Sequence, residues 1–216
     1  KSNTDIEIAV IKLPSLSNFS DLDPLEAEPT VKLNWVEPGD YLGTPDAVIL
    51  PGSKQTLRDL NNLLESGLGG EIKSFAKMGG NIFGICGGMQ MLGEILEDPH
   101  RLEDANKENS TENHVGLSLL PIHTVFKPRK AVIPREVISI WPEISLLKGF
   151  ELHYGKSQLV KNNEKKVEPI TKDQDLGWVT KSKNQTIIAG TYLHSIFDNG
   201  EWRRIWLNQI RKKKNL

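Results

Sequence analysis

A glycine-rich turn around the only cysteine of the chain restricts the fold more than any other segment. Residues 81–83 have the apolar pattern of a short buried strand, and residues 89–97 have the pattern of a helix. Cys86 lies between them with glycine on both sides, so the backbone can turn tightly there. Such a strand-to-helix turn presents a nucleophile, and the N–H groups at the start of the helix favour a thiolate. The sequence therefore predicts a reactive Cys86 rather than a small buried hydrophobic residue.

Strands and helices alternate along the first half of the chain. Apolar or alternating runs predict strands at residues 6–11, 31–36, 46–50 and 81–83. Apolar residues at helical spacing predict helices around residues 57–64 and 72–76. This alternation is typical of parallel βαβ units, so we predict an α/β fold whose open, mostly parallel sheet has flanking helices. The C-terminal half is predicted to be rich in strands, at residues 115–126, 151–160 and 185–189.

Composition excludes several classes of function. Hydrophobic residues make up 38% and charged residues 25% of the 216 residues, as in ordinary globular proteins, and the net charge of −1 argues against a nucleic-acid partner. Because no apolar run approaches the roughly 20 residues of a membrane span and the start is polar, we expect no membrane partner and no secretory leader. The single cysteine fits a reducing compartment, so we predict a cytoplasmic protein. We read residues 1–216 as a single domain with a polar surface loop at 98–113.

A thiol nucleophile needs a base, and the chain has five histidines to offer. His194 directly follows an apolar, strand-like run, so it is expected at the carboxyl end of a strand. Ligands bind at that edge of open α/β sheets, where Cys86 is also predicted. His123 alternates with apolar neighbours, and His100 and His114 fall in or beside the polar loop. His194 is the best candidate base, although its position alone leaves a structural role equally open.

Two motifs, residues 84–93 around Cys86 and residues 190–199 around His194, resemble class I glutamine amidotransferase domains of the cobyric acid synthase type. Further segments resemble the same family, at residues 11–14, 17–25, 50–56 and 149–155. The resemblance extends from about residue 6 to about residue 210. It implies a class I amidotransferase fold of the flavodoxin-like kind.

The resemblance also implies a mechanism. The Cys86 thiolate would attack the side-chain amide of L-glutamine, and His194 would pass a proton to the departing ammonia. The N–H of Gly87 and a donor from the turn at Gly52 and Ser53 would face the tetrahedral oxyanion. This domain would need no cofactor and no metal.

The substrate and the partner follow from the same resemblance. Gln90, one helical turn past the cysteine, is similar in position to a residue that contacts substrate glutamine, but it could equally be an ordinary amide on the helix surface. The ammonia would pass to an ATP-dependent synthetase domain, normally fused N-terminally, that amidates corrin-ring carboxylates. ATP and Mg²⁺ are expected in that domain, because this chain has no phosphate-binding loop. We therefore interpret the chain as the amidotransferase part alone.

The acid that normally orients the histidine in class I enzymes is missing from its usual place. Class I enzymes usually carry a glutamate two residues after the histidine, whereas this chain has Ile196. Asp198 and Glu151 are the carboxylates available to orient His194, and either could equally be a surface or capping residue. We favour a Cys-His dyad that a backbone carbonyl or a water molecule assists.

Two other functions fit part of the pattern. The amidotransferase subunit of a peptidoglycan-amidating ligase would share the cysteine and histidine motifs, but we would not expect residues 17–25 in it. An inactive, amidotransferase-like docking module would explain the absent glutamate, but it would not need to retain both Cys86 and His194.

Overall fold

The computed structural model describes residues 5–103, 113–128, 132–160, 166–182 and 186–215. The strands in this part of the chain are β1 (Ile6–Ile11), β2 (Val31–Val36), β3 (Ala47–Leu50), β4 (Asn81–Ile85), β5 (Ile95–Glu97), β6 (Asn113–Val115), β7 (Ile122–Val125), β8 (Ile133–Ser139), β9 (Ser145–Glu151), β10 (Lys156–Leu159), β11 (Val167–Pro169), β12 (Gly177–Lys181), β13 (Ile187–Thr191) and β14 (Leu193–His194). The helices are α1 (Asp23–Glu26), α2 (Thr56–Glu65), α3 (Leu68–Lys77), α4 (Gly87–Leu92) and α5 (Gly200–Lys213), with 3₁₀ turns at Phe19–Asp21 and Ile196–Asp198.

The central sheet confirms the predicted open and mostly parallel topology. Its order is β11-β12-β13-β4-β3-β1-β2, with β2, β1, β3, β4 and β13 parallel and β12 and β11 antiparallel at one edge. Every residue of β3 and β4 is buried, as expected for strands in the middle of an α/β sheet. The C-terminal half is rich in strands, and it contributes to two smaller sheets, ordered β10-β7-β5-β6 and β14-β9-β8.

The helix after the cysteine is shorter than the predicted 89–97. It begins directly after Cys86 and ends at Leu92, because Gly93 has an extended backbone. A Cβ at Gly93 would lie 2.9 Å from the carbonyl oxygen of Ile122, so only glycine fits this close contact. The following residues form β5, which pairs with β7 in the second sheet. Pairing with a distant strand thus overrides the helical pattern of residues 95–97.

The predicted polar loop at 98–113 is only partly visible, because residues 104–112 lie outside the described residues. Residues 99–102 are exposed, as the prediction requires, but the two acidic residues that flank them are held by the fold. Asp98 is buried and accepts hydrogen bonds from the N–H groups of Leu102 and Glu103 at 2.8 and 2.9 Å. Glu103 in turn accepts a 3.1 Å hydrogen bond from the N–H of Leu57 in α2, and burial raises the pKa of this carboxyl to about 7. The segment is therefore anchored on the first turn of α2.

The two tryptophans of α5 lie four residues apart, on one face of the helix, and belong to the core. Trp202 and Trp206 are buried, and each packs against Phe83 of β4 with ring centroids 5.7 and 5.8 Å apart. Both also contact Phe197. No helix in the described part of the chain is long and apolar enough to cross a membrane.

The contact between α4 and the end of β3 gives a test of the fold. A Cβ at Gly88 would overlap the carbonyl oxygen of Leu50 and lie 2.7 Å from that of Pro51, whereas a Cβ at Gly70 in α3 would meet open space. We expect Gly88→Ala to lower the free energy of unfolding by about 3 kcal/mol, because backbone atoms must move apart. Gly70→Ala is the matched control and should raise it by up to about 1 kcal/mol. Urea unfolding followed by circular dichroism measures both, and equal stability of the two variants would contradict the described contact.

Candidate active site

Cys86 lies at the turn between β4 and α4 in a conformation that few residues other than glycine adopt. Its φ is 51° and its ψ is −110°. Two hydrogen bonds hold this backbone: the N–H of Cys86 donates to the carbonyl of Thr191 in β13 at 2.7 Å, and its own carbonyl accepts from the N–H of Gln90 at 3.0 Å. Strained backbone of this kind is characteristic of functional sites. The predicted tight turn between strand and helix is therefore present, with the thiol at the carboxyl edge of the central sheet.

His194 lies beside Cys86 and is completely buried, with 0% of its surface exposed. It belongs to β14, whose pairing with β9 fixes its backbone. The ring stacks on Phe150 with centroids 5.1 Å apart and planes inclined by 20°. The amide nitrogen of Asn18 lies 3.2 Å from Nδ1 and 3.4 Å from Nε2 of the ring. The structure thus brings together the cysteine and the histidine that the sequence selects.

Asp21 is the carboxylate that contacts His194. Its Oδ2 lies 2.7 Å from Nδ1 of the ring, and its Oδ1 accepts a 2.8 Å hydrogen bond from the N–H of Ser195. Asp21 is itself buried, on the 3₁₀ turn that precedes α1. One carboxylate therefore holds both the imidazole ring and the backbone that follows it.

The two acids suggested by the sequence do not fill this role. Asp198 is exposed, and Glu151 instead contacts Nε of Arg135 and lies 2.9 Å from Nε2 of His153. The expected Cys-His dyad without an acid is likewise wrong, because Asp21 is in place. Sequence reasoning missed Asp21 because it lies 173 positions from His194. The available signal was that Asp21 belongs to the segment 17–25 that carries the family resemblance.

The surroundings of His194 favour its protonated form. Burial is the largest influence and opposes the charge, but the hydrogen bond to Asp21 and the interaction with the Cys86 thiol together outweigh it. The pKa of His194 is therefore raised to about 10. An imidazolium next to a cysteine stabilises the thiolate, which is the reactive form of a nucleophilic cysteine.

The turn at Gly52 and Ser53 borders the same site, as predicted. A Cβ at Gly52 would lie 3.4 Å from Cε1 of His194, and a Cβ at Gly87 would lie 3.0 Å from the backbone nitrogen of Ser53. The first residue of α4 and this turn therefore face each other beside Cys86. The first N–H groups of a helix have no acceptor within the helix, so the N–H of Gly87 is available to an anion.

A buried carboxylate, Asp59 of α2, holds this turn in place. Its Oδ2 accepts a 2.6 Å hydrogen bond from Ser53 Oγ, and both its oxygens lie within 3.3 Å of the backbone nitrogen of Ser15. Ser53 also forms a backbone bridge with Leu16. Burial raises the pKa of Asp59, while its hydrogen bonds with Ser53 and Ser15 oppose that rise. The sequence contained a signal for this residue, because Asp59 falls on the buried face of the helix between Thr56 and Leu63.

Gln90 is not an amide on the helix surface, so that alternative is wrong, whereas contact with substrate glutamine stays a prediction. It is buried, and its Nε2 donates to the carbonyl of Tyr154 at 3.0 Å and to the hydroxyl of Tyr192 at 3.1 Å. That hydroxyl also contacts Ser157, and burial raises the pKa of Tyr192. In this structure Gln90 joins α4 to the segment between β9 and β10 and to the residue between β13 and β14.

The thiol is covered. Cys86 exposes 5% of its surface, and its Sγ lies 3.5 Å from the carbonyl oxygen of Leu152. His153 stacks on Tyr192 with ring centroids 3.7 Å apart, which fixes the segment that carries this carbonyl. His114 and His123 lie in the second sheet, on β6 and β7. Cys86, His194 and Asp21 therefore lie together with little exposure to solvent.

Comparisons with known proteins agree with this geometry. A family profile described as a CobB/CobQ-like glutamine amidotransferase domain matches residues 7–202. Cobyric acid synthases from two strains of Prochlorococcus marinus are each 58% identical over all 216 residues. The chain spans 43% of the length of these curated relatives.

Solved structures show the same fold at low identity. PurLQS from Thermotoga maritima has a TM-score of 0.65 at 16% identity, with 96% of this chain and 98% of that chain covered. A structure described as a glutamine amidotransferase has a TM-score of 0.64 at 14% identity, with 95% and 98% covered. Sequence, fold and site geometry agree: the chain belongs to the family of CobB/CobQ-like glutamine amidotransferase domains.

Proposed function

We propose that this domain hydrolyses L-glutamine through Cys86, His194 and Asp21 and supplies the ammonia for cobyric acid synthesis. The observation that carries the proposal is the hydrogen bond of 2.7 Å between Asp21 and His194 beside a cysteine on a strained turn. It provides a nucleophile, a proton carrier and a group that orients the carrier, which are the three parts that amide hydrolysis by this route needs.

The chemistry proceeds in two halves. The Cys86 thiolate forms a bond to the side-chain amide carbon of glutamine, and the carbonyl electrons move onto oxygen. As the oxyanion collapses, the C–N bond breaks and the His194 imidazolium gives its proton to the nitrogen, which leaves as ammonia. Water then loses a proton to His194 and attacks the γ-glutamyl thioester, which releases glutamate and the thiolate.

Other groups assist without forming covalent bonds to the substrate. Asp21 holds Nδ1 of His194, so the Nε2 edge is left for the proton that moves between cysteine, leaving group and water. The N–H of Gly87 and a donor from the Ser53 turn face the developing oxyanion, and Asp59 keeps that turn in position.

The relatives support the wider role. Cobyric acid synthases at 58% identity are longer than this chain, which spans 43% of their length. We propose that the remaining part is an ATP-dependent synthetase, with ATP and Mg²⁺ bound there, which activates corrin-ring carboxylates for attack by the ammonia. The 58% identity to these enzymes favours this role over the peptidoglycan ligase subunit and the inactive docking module.

The nucleophile can be tested in the complete two-domain enzyme. A diazoketone analogue of glutamine should label this domain once, at Cys86, its only cysteine. Cys86→Ala should abolish labelling and glutamine hydrolysis while ammonia-dependent amidation continues, because the thiol only supplies nitrogen. Glutamine-dependent amidation that survives the substitution would refute the proposal.

The role of Asp21 gives a second prediction. Asp21→Asn should lower kcat for glutamine hydrolysis by about 10²–10⁴-fold, because His194 loses the carboxylate that orients its ring and stabilises its protonated form. Asp198→Asn, the exposed control, should stay within about twofold of the wild type, the effect expected of a solvent-exposed side chain. Steady-state kinetics that show equal losses in the two variants would remove Asp21 from the mechanism.

The same substitution should change the pH dependence of stability. The pKa of His194 is raised from its ordinary 6.5 to about 10, so this group stabilises the fold fully below pH 6.5 and loses that contribution as pH rises toward 10. In Asp21→Asn the raised pKa falls, so the stability difference from the wild type should be largest near pH 6 and shrink toward pH 10. Urea unfolding across this range measures it, and a constant difference would contradict the ion pair.

Asp59 provides a fourth prediction. In Asp59→Asn the carboxamide nitrogen replaces one of the two oxygens that now accept from Ser53 and Ser15. We expect a loss of about 1–3 kcal/mol in the free energy of unfolding. We also expect kcat to fall by about tenfold, less than the roughly 10²–10³-fold that follows removal of an oxyanion donor. A stability loss without any change in kcat would show that Asp59 supports the fold but not the oxyanion turn.

A further inference from the structure

The 3₁₀ turn Phe19–Asp21 has one face in the active site and the other in solvent. Asp21 and the preceding Asn18 contact His194 from the inside. Phe19, between them in sequence, leaves 60% of its surface exposed. A water-exposed phenylalanine on a turn that holds a catalytic histidine contributes little to the packing of this domain, so its side chain is available to a partner.

Phe19 is not isolated. Its ring lies 6.3 Å from that of Trp35 on β2, which is 38% exposed and stands on the edge strand of the central sheet. An open groove of about 760 Å³ adjoins the pair. The groove is lined among others by Lys12, Leu13, Pro14, Leu16, Phe19 and Pro38. We name Phe19, Trp35 and this groove the aromatic patch; exposed aromatic rings beside a groove are typical anchors of protein interfaces.

The location of the patch fits a partner that receives ammonia. Lys12 and Leu13 directly follow β1, and Cys86 directly follows β4, so both lie at the carboxyl edge of the parallel strands. Ammonia that escapes into neutral water becomes ammonium, which is not a nucleophile. An acceptor domain must therefore cover this edge of the sheet.

The closed site adds a reason for contact at this turn. His194 is 0% and Cys86 5% exposed, so the covering segments restrict the access of glutamine to the thiol. Asn18 is one of these covering residues, and its φ of 52° shows a backbone held in the left-handed region. A partner that displaces Phe19 would also displace Asn18 and Asp21, because the three residues belong to the same short segment.

We propose that the aromatic patch is the docking site for the remaining part of the longer polypeptide found in the curated relatives, and that docking there adjusts the turn that holds His194. The length of the relatives identifies the partner. This chain matches only 43% of their length, so the larger part of the same polypeptide is available to dock on the patch. This inference rests on the proposed function, since it assumes that this remaining part consumes the ammonia.

The test uses the complete polypeptide with Phe19→Ser and, separately, Trp35→Ser. The control is Met78→Ser, which removes an apolar side chain that is 81% exposed beside the start of β4, at the opposite edge of the sheet. Amidation is measured with glutamine and with ammonia as nitrogen source. We expect the two patch variants to lose at least about tenfold of glutamine-dependent amidation and to keep ammonia-dependent amidation within about twofold, while Met78→Ser changes neither.

Three outcomes would overturn the proposal. Wild-type glutamine-dependent amidation in both patch variants would show that nothing functional docks there. An equal loss with both nitrogen sources would indicate general damage instead of lost communication. A change from dimer to monomer in light scattering would assign the patch to a second copy of the polypeptide.

The Cys86→Ala experiment keeps this test independent of the proposed function. If Cys86→Ala retains glutamine-dependent amidation, the proposed function fails whatever the patch variants do. If it loses that activity while the patch variants keep theirs, only the docking inference fails.

Discussion

The hydrogen bond between Asp21 and His194 is the interaction on which the rest of the site depends. It joins a turn after β1 to a strand near the C-terminal end of the described chain, across 173 positions. Both groups are buried, so the charge on either one would be costly without the other. The pair therefore orients the imidazole and also joins the 3₁₀ turn after β1 to β14. Loss of either partner would leave an uncompensated charge in the core beside Cys86.

The second requirement is close approach of backbone to backbone around Cys86. Gly84, Gly87 and Gly88 lie where a Cβ would meet α4, the Ser53 turn and the end of β3. These contacts leave α4 only one position relative to β3 and β4, so the N–H groups at its start point to a fixed place. Catalysis by hydrogen-bond donors requires this rigidity, because donors that must reorganise during the reaction stabilise the transition state less.

The sequence was sufficient to predict the parallel sheet and to place Cys86 and His194 together at its carboxyl edge, because each of these depends on a local pattern. Buried strands are apolar runs, and Cys86 is marked by the glycines beside it. The predictions that were wrong or missing concern residues whose partners are distant in the sequence. Residues 95–97 form β5 because β7 lies beside them, and Asp21 reaches His194 only after the chain has folded. The sequence left Gln90 open between a residue that contacts substrate and an ordinary surface amide, and only the fold shows that its amide donates to Tyr154 and Tyr192.

The closure of the site over Cys86 has a consequence for the survival of the enzyme. A thiolate paired with an imidazolium is the form of cysteine that peroxide oxidises most readily, and oxidation beyond the sulfenic acid is irreversible. With 5% of its surface exposed, Cys86 offers little access to a dissolved oxidant while the site is empty. The cover over the sulfur therefore limits its oxidation. The chain has a single cysteine, so no second thiol of its own could form a disulfide with an oxidised Cys86 and thereby protect it from further oxidation.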